Sequence, residues 1–298
     1  MKLVSLYLEK REQAAIHTSE GLLPLKLCNR SSDHDWPEDL LSLIGSGRLK
    51  DLCSWFSTSR DELLNLFEQK LIPIDMASLA PLYRRPRKIW GIGLNYREHA
   101  ADLSEKAPET EPASFLKPDT TIIGHGDTIK IPLQSDRTTG EAELGIIIGR
   151  ECRDVERTEW LDVVAGFTTV IDMTAEDILR KNTRYLTRSK SFDTFFSFGP
   201  LFVTPDELGD IGSLEVSTVL NNHVYAHNIV SNMTFSPDFL VSFHSKVMTL
   251  LPGDIISTGT PGAAPLNDGD RVECRIDGFL PLVNPVRDLK ISSDHLYE

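Results

Sequence analysis

Hydrophobic and polar positions change their spacing twice along the chain. Over the first 27 residues they alternate: Leu3, Ser5 and Tyr7 fall on one face, a charged turn Glu9-Lys10-Arg11-Glu12 follows, and Ala15 to His17 and Leu22 to Leu27 resume the apolar pattern. Residues two apart share a face of a strand, so this spacing predicts a hairpin or small meander. From Trp36-Pro37-Glu38-Asp39 the spacing becomes helical, through Leu40, Leu41, Leu43 and Ile44, and again over Asp61 to Phe67. Proline and charge break both periods at Ile72-Pro73-Ile74-Asp75 and Arg84-Arg85-Pro86-Arg87, which puts a domain boundary near residue 82. Beyond it, β-rich runs over 88–94, 144–148, 163–171, 214–220, 254–257 and 271–276 are separated by Gly and Pro turns, with helical spacing mainly over 174–180 and 237–250. There is no regular repeat, and no Gly-x-Gly-x-x-Gly opens a helix after a strand, which disfavours a doubly wound nucleotide-binding fold. The expected fold class is α+β, mainly β: a closed or sandwich-like mixed sheet over residues 83–298, preceded by a small α+β domain over residues 1–82.

Composition narrows the partners. The chain has 298 residues, 40% of them hydrophobic and 25% charged, the usage of a globular enzyme. Thirty-one Lys and Arg against 44 Asp and Glu leave a net charge of -13, a field that repels nucleic acid and anionic membranes. The same field repels a carboxylate substrate unless something local reverses its sign. The opening MKLVSLYLEKREQ lacks the apolar core of a signal peptide, and no run approaches the ~20 apolar residues of a membrane span. Cys28, Cys53, Cys152 and Cys274 show no Cys-x-x-Cys spacing, so neither a zinc knuckle nor a disulfide framework is expected. The expected location is cytoplasmic, with thiols acting as small apolar residues.

The sharpest chemistry lies in Gly140-Glu141-Ala142-Glu143-Leu144-Gly145. On a strand, Glu141 and Glu143 point the same way, and two such carboxylates repel unless a cation lies between them. An isolated pair of this kind also fits a solvated strand edge. Asp172, where the apolar run Val170-Ile171 gives way to helical spacing, adds a third acid. Three carboxylates on apolar strands suit a hard divalent ion, Mg²⁺ or Mn²⁺. In Asn95-Tyr96-Arg97-Glu98-His99-Ala100-Ala101-Asp102, His99 and Asp102 are three apart and share a helix face, the pairing that raises imidazole basicity for activating water. A surface His beside an Asp reads the same way. His125, in Gly124-His125-Gly126-Asp127, reads as a tight turn. Lys190, among hydroxyls and aromatics in Arg188-Ser189-Lys190-Ser191-Phe192-Asp193, is either a fixed cation for an enolate or carboxylate oxygen or a surface partner of Asp193. Thr258-Gly259-Thr260-Pro261-Gly262 closes a strand with a Gly-rich loop whose N–H groups and Thr260 hydroxyl suit a carboxylate, though a plain strand-to-turn junction has the same look.

Six segments taken together, GIGLNYREHA, FLKPDTTIIGHGD, GEAELGIIIG, GFTTVIDMTAED, SKSFDTFFSFGP and LPGDIISTGTPG, resemble the fumarylacetoacetate hydrolase family over roughly residues 83–288. The resemblance implies a mixed β-sheet roll, assembled as a homodimer, with Mg²⁺ or Mn²⁺ held by Glu141, Glu143 and Asp172. It implies that the ion chelates a 2-oxo acid whose carboxylate meets Thr260 beside Gly259, that Lys190 stabilises a developing enolate, and that His99 activates water. The acid beside that histidine is usually Glu and is Asp102 here. Arg97 and Lys117 are implied as further substrate contacts, and each also fits a solvated charge. Two positions depart from the family pattern: Glu176 stands where an Arg is common and Leu179 where a Gln is common, which bears on the pocket rather than on the metal.

The function so implied is hydrolysis of a carbon–carbon bond in a β-diketone or acylpyruvate-type 2-oxo acid through a metal-held enolate. Oxaloacetate decarboxylation needs the same enolate and is the nearest alternative, followed by isomerisation or hydration of a 2-oxo-enoic acid. A protein that only binds a 2-oxo acid is a further alternative, against which the retention of His99 counts.

Overall fold

The computed structural model describes residues 1–97 and 110–292. The alternating N-terminal run forms an antiparallel meander of β1 (Lys2–Leu8), β2 (Arg11–Thr18) and β3 (Gly21–Pro24). Glu9 and Lys10 turn the first hairpin with φ of 49° and 65°, the left-handed pair that matches the twist of two strands joined by a two-residue loop. Three helices follow: α1 (Leu25–Arg30), α2 (Leu40–Gly45) and α3 (Leu49–Phe67). Asp39 starts α2 by accepting from the Ser42 N–H at 2.9 Å. The third helix begins well before the expected Asp61, because its buried Leu49 and Leu52 are separated from Leu63, Leu64 and Phe67 by a Ser- and Thr-rich stretch that hides the period.

The rest of the chain supplies β4 (Ile89–Gly93), β5 (Ala113–Lys117), β6 (Ile122–Ile123), β7 (Ile129–Ile131), β8 (Thr138–Ile148), β9 (Val164–Ala175), β10 (Phe196–Phe198), β11 (Leu201–Val203), β12 (Glu215–Leu220), β13 (His223–Ile229), β14 (Ile255–Ser257), β15 (Ala263–Leu266), β16 (Arg271–Ile276) and β17 (Leu282–Asp288). Among the described residues they make two sheets. The larger has the order β3-β2-β1-β11-β9-β8-β14-β4-β5, with β10 and β15 attached to β9 and β8 and with β6 on β10; the smaller has the order β13-β12-β16-β17-β7. Across the boundary expected near residue 82 the larger sheet is continuous, since β1 pairs with β11, Leu3 opposite Phe202. The protein is α+β and mainly β.

β8 and β9 are its centre: every residue of both is buried. On one face of β8, Ala142, Leu144, Ile146 and Ile148 pack with Val216, Val272, Cys274 and Leu282 of the smaller sheet. On the other, Ile147 and Val170 pack with Leu3, Leu40, Leu52 and Phe202 of the N-terminal layer and its neighbours. Each such aliphatic or aromatic side chain contributes roughly 1.5–3 kcal/mol by leaving water. The polar end of this second face, residues 139–143, is where chemistry is placed.

β9 also fits closely against β11. A Cβ at Gly166 would lie 2.5 Å from the Val203 carbonyl oxygen and 2.6 Å from the Phe202 ring. Gly166→Ala is therefore expected to cost about 1–3 kcal/mol, read as a lower urea midpoint with an unchanged slope.

Cys28 and Cys274 are buried and Cys53 and Cys152 half-buried, none in a disulfide. Burial pushes the Cys28 and Cys274 thiols up to about 12, as expected of inert apolar residues. No helix among the described residues is long and apolar enough to cross a membrane.

Candidate metal centre

Pairing of β8 with β9 sets Glu141 opposite Asp172 and Thr139 opposite Thr174. Strand alternation then puts Thr139, Glu141 and Glu143 on one face together with Asp172 and Thr174. The solvated-edge alternative does not hold. β8 is an inner strand, with β9 on one side and β14 and β15 on the other, and Glu141, Glu143 and Asp172 are 9%, 1% and 0% exposed. One carboxylate oxygen from each lies within 4.8 Å of the other two.

Each acid is held by named donors. Glu141 Oε1 accepts from the Thr139 hydroxyl at 3.1 Å and from the Thr174 hydroxyl. Glu143 Oε2 accepts from the Ser257 hydroxyl at the end of β14 and from the Gly259 N–H at 2.9 Å. Lys190, the last residue of the short helix Leu186–Lys190, donates to Asp172 Oδ2 at 2.6 Å and to Glu141 Oε2 at 2.9 Å. Its ammonium also lies 4.7 Å from the centre of the Phe115 ring, an added cation–π attraction. That ring sits so close over β4 that a Cβ at Gly91 would be 2.2 Å from it. Lys117, at the end of β5, donates to Asp172 Oδ1 and, at 3.2 Å, to the Met173 carbonyl.

The electrostatics follow from burial. Glu143 is pushed up to about 8, first by desolvation and then by the neighbouring Asp172. Desolvation also brings Lys117 down to about 8, although Asp172 works against it. For Lys190 desolvation again opposes the charge, but Asp172, Glu141 and Glu143 outweigh it and keep its pKa above the ordinary lysine value. Three carboxyl groups thus face two lysine side chains in a largely buried site.

These residues fit a divalent cation on two counts. The donors are all oxygens, the set preferred by Mg²⁺ and Mn²⁺. The three acids also crowd within 4.8 Å of one another with only Lys190 and Lys117 bonded to them, a repulsion that a cation relieves.

The Gly-rich loop is built against the Asn95-Tyr96 segment. Gly259 has φ of 96°, and a Cβ there would lie 2.8 Å from the Asn95 Cβ. Asn95 donates to the Thr258 carbonyl at 2.7 Å and to the Phe235 carbonyl at 3.0 Å, and accepts from the Phe235 N–H at 2.8 Å. Thr260 is buried, with its hydroxyl 3.0 Å from the Gly262 carbonyl.

The structure therefore brings together Glu141, Glu143, Asp172, Lys190, Lys117 and Gly259, with Thr260 one residue further along the same loop. Arg97 is exposed at the end of the first described segment, after the fully buried Tyr96. His99 and Asp102 lie outside the described residues. His125 accepts from the Val283 N–H at 3.3 Å in a turn. Strand β9 runs through Thr174 and Ala175, later than the helical spacing from 174 suggests, because Thr174 and Ala175 still pair with Thr139 and Thr138. Of the two departures from the family pattern, Leu179 is half-buried and Glu176 is buried, its carboxylate bonded to Arg137 and, at 2.6 Å, to Arg180.

Sequence reasoning passed over Thr139, Thr174 and Ser257. The two threonines sit two positions from Glu141 and Asp172, so strand alternation could have found them; Ser257 comes from a distant strand and had no local signal. Removing the Ser257 hydroxyl leaves Glu143 Oε2 with only the Gly259 donor, so Ser257→Ala should weaken divalent-ion binding about 10- to 100-fold, as measured by Mn²⁺ titration.

Comparison with known proteins places this geometry. The family model described as fumarylacetoacetate (FAA) hydrolase C-terminal matches residues 88–287. A fumarylacetoacetate hydrolase domain-containing protein 2 homolog of Dictyostelium discoideum is 34% identical over 282 residues, covering 88% of this chain and 89% of that protein. The crystal structure of maleylpyruvate hydrolase from Sphingobium sp. SYK-6 in complex with manganese(II) and pyruvate superposes with a TM-score of 0.75 at 27% identity, covering 97% of this chain and 99% of that one. A 5-carboxymethyl-2-hydroxymuconate delta-isomerase from Mycobacterium smegmatis is 37% identical with a TM-score of 0.65, covering 72% of this chain and 82% of that one.

Proposed function

The chain belongs to the fumarylacetoacetate hydrolase family, and we propose that it is a Mg²⁺- or Mn²⁺-dependent hydrolase cleaving a carbon–carbon bond in a β-diketone or acylpyruvate-type 2-oxo acid. The observation that carries this reading is the buried Glu141–Glu143–Asp172 cluster with the Lys190 ammonium bonded to two of its members. The likeness to a maleylpyruvate hydrolase with manganese and pyruvate supports it.

Glu141, Glu143 and Asp172 would hold the ion, which when bound supplies positive charge that polarises the oxygens of a 2-oxo acid. The chain's own groups do the rest. Lys190, kept protonated by three acids, offers a fixed cation to the oxygen on which charge develops. The Gly259–Thr260 loop, with Lys117 and Arg97, receives and orients the acid. His99, with Asp102 as its partner, takes a proton from water. The hydroxide so formed attacks the distal carbonyl, the carbon–carbon bond opens, and the enolate of the 2-oxo acid is protonated to the keto form. Conversion of a 2-oxo-enoic acid by isomerisation is the second reading, favoured by the likeness to the delta-isomerase.

The test is to incubate the protein with Mn²⁺ and acetylpyruvate, fumarylpyruvate or oxaloacetate, with and without EDTA, and identify the products. Release of two acids from an acylpyruvate, lost with EDTA, is the expected result. Carbon dioxide from oxaloacetate alone, or a tautomer alone, would replace hydrolysis with the corresponding alternative.

A further inference from the structure

Strand β5 brings a second residue to the buried acids besides Lys117. Phe115 stands two positions earlier and so shares its face; both are buried, while Leu116 between them is 44% exposed. Register sets Phe115 opposite Gly91 of β4, and Gly91 in turn opposite Ser257 of β14. One row across three strands therefore carries the ring, a bare glycine and the hydroxyl that bonds Glu143. The glycine is required, because a Cβ at Gly91 would lie 2.2 Å from Phe115 Cζ and 2.3 Å from Cε2. The ring is thus seated directly on the β4 backbone.

Over this ring lies the Lys190 ammonium, 4.7 Å from its centre. An ammonium has three N–H donors. Two of those on Lys190 go to Asp172 Oδ2 at 2.6 Å and to Glu141 Oε2 at 2.9 Å, and the third has no acceptor among the described residues. Both acceptors belong to the acids that would hold the ion. Carboxylates that serve a divalent cation hold an ammonium less strongly, and two cations side by side repel. The ring differs from the acids in this respect. Its negative face attracts the ammonium, yet it offers a hard cation no oxygen ligand. Lys190 therefore keeps one partner for which the ion does not compete.

We infer that Phe115 is a positioning residue for Lys190: its ring keeps the ammonium in place when the acids serve the ion, with the third N–H left for the oxygen on which charge develops. The inference rests on the proposed use of the site for a 2-oxo acid. Phe115 acts through Lys190, and its contribution is electronic as well as steric, since the attraction depends on the negative face of the ring and not on its bulk alone.

The test replaces Phe115 with 4-fluoro-, 3,5-difluoro- and 3,4,5-trifluorophenylalanine, which withdraw charge from the ring face in steps and nearly preserve its shape. Calorimetry on the Mn²⁺-loaded protein then compares pyruvate with oxalate, whose coplanar dianion resembles the enolate of pyruvate. Oxalate affinity should fall stepwise, by about three- to tenfold across the series, and pyruvate affinity should fall less. Phe115→Leu, which keeps an apolar cover without an aromatic face, should lie at the end of the series or beyond it. The fluorinated rings report even if that variant fails to fold. A flat series, or an equal loss for both ligands, overturns the inference; acylpyruvate hydrolysis retained beside a flat series would leave the hydrolase reading standing. Absence of Mn²⁺-dependent binding of either acid to the unaltered protein would remove the 2-oxo acid reading, and this inference with it.

Discussion

Glu141→Ala is expected to abolish tight divalent-ion binding and, with it, turnover. Glu141 supplies one of three oxygens within 4.8 Å of one another, and the loss of one anionic ligand should lower affinity by at least about a thousandfold, several kcal/mol. The fold should survive. Removing one of three crowded carboxylates relieves repulsion on Glu143, whose pKa is raised partly by its acidic neighbours, and leaves Lys190 bonded to Asp172 at 2.6 Å. Mn²⁺ titration beside a denaturation curve separates the two effects. Unchanged Mn²⁺ affinity in a folded variant would show that the ion, if any, binds elsewhere.

His99→Ala should act on a different step. With the three acids intact, metal binding should match that of the unaltered protein, while acylpyruvate hydrolysis falls about 10²- to 10⁴-fold, the usual contribution of a positioned general base. Decarboxylation of oxaloacetate needs no activated water, so any such activity should persist. The comparison thereby sorts the alternatives as well as the residue. Hydrolysis that survives the substitution would remove His99 from the water-activating role, and Asp102 with it.

How much of this was legible in the sequence depended on how local each signal is. The acids were, because Glu141 and Glu143 two apart on an apolar strand and Asp172 at the end of another are short-range patterns. What could not be read was that β8 lies inside the sheet rather than at its rim, since that is set by pairing with β14 and β15, more than a hundred residues later. Lys117 read as a possible solvated charge for the same reason: only the tertiary fold brings β5 under Asp172. The start of α3 was hidden by the polar stretch between its two buried ends, and the end of β9 by Thr174 and Ala175, which continue the strand because Thr139 and Thr138 lie opposite. The continuity of the larger sheet through β1 and β11 is likewise a contact across some 200 residues. Glu176 was conspicuous as a charge reversal, but Arg137, which answers it, sits 39 positions earlier.

The central claim is that one divalent ion occupies the Glu141–Glu143–Asp172 cluster and that a 2-oxo acid meets it there. Electron paramagnetic resonance of Mn²⁺ titrated into the protein, with and without pyruvate, tests it most directly. The account predicts one tightly bound ion per chain, lost in Glu141→Ala, with a spectrum that changes when pyruvate is added. Absence of a bound ion, or a bound ion indifferent both to the substitution and to pyruvate, would contradict it.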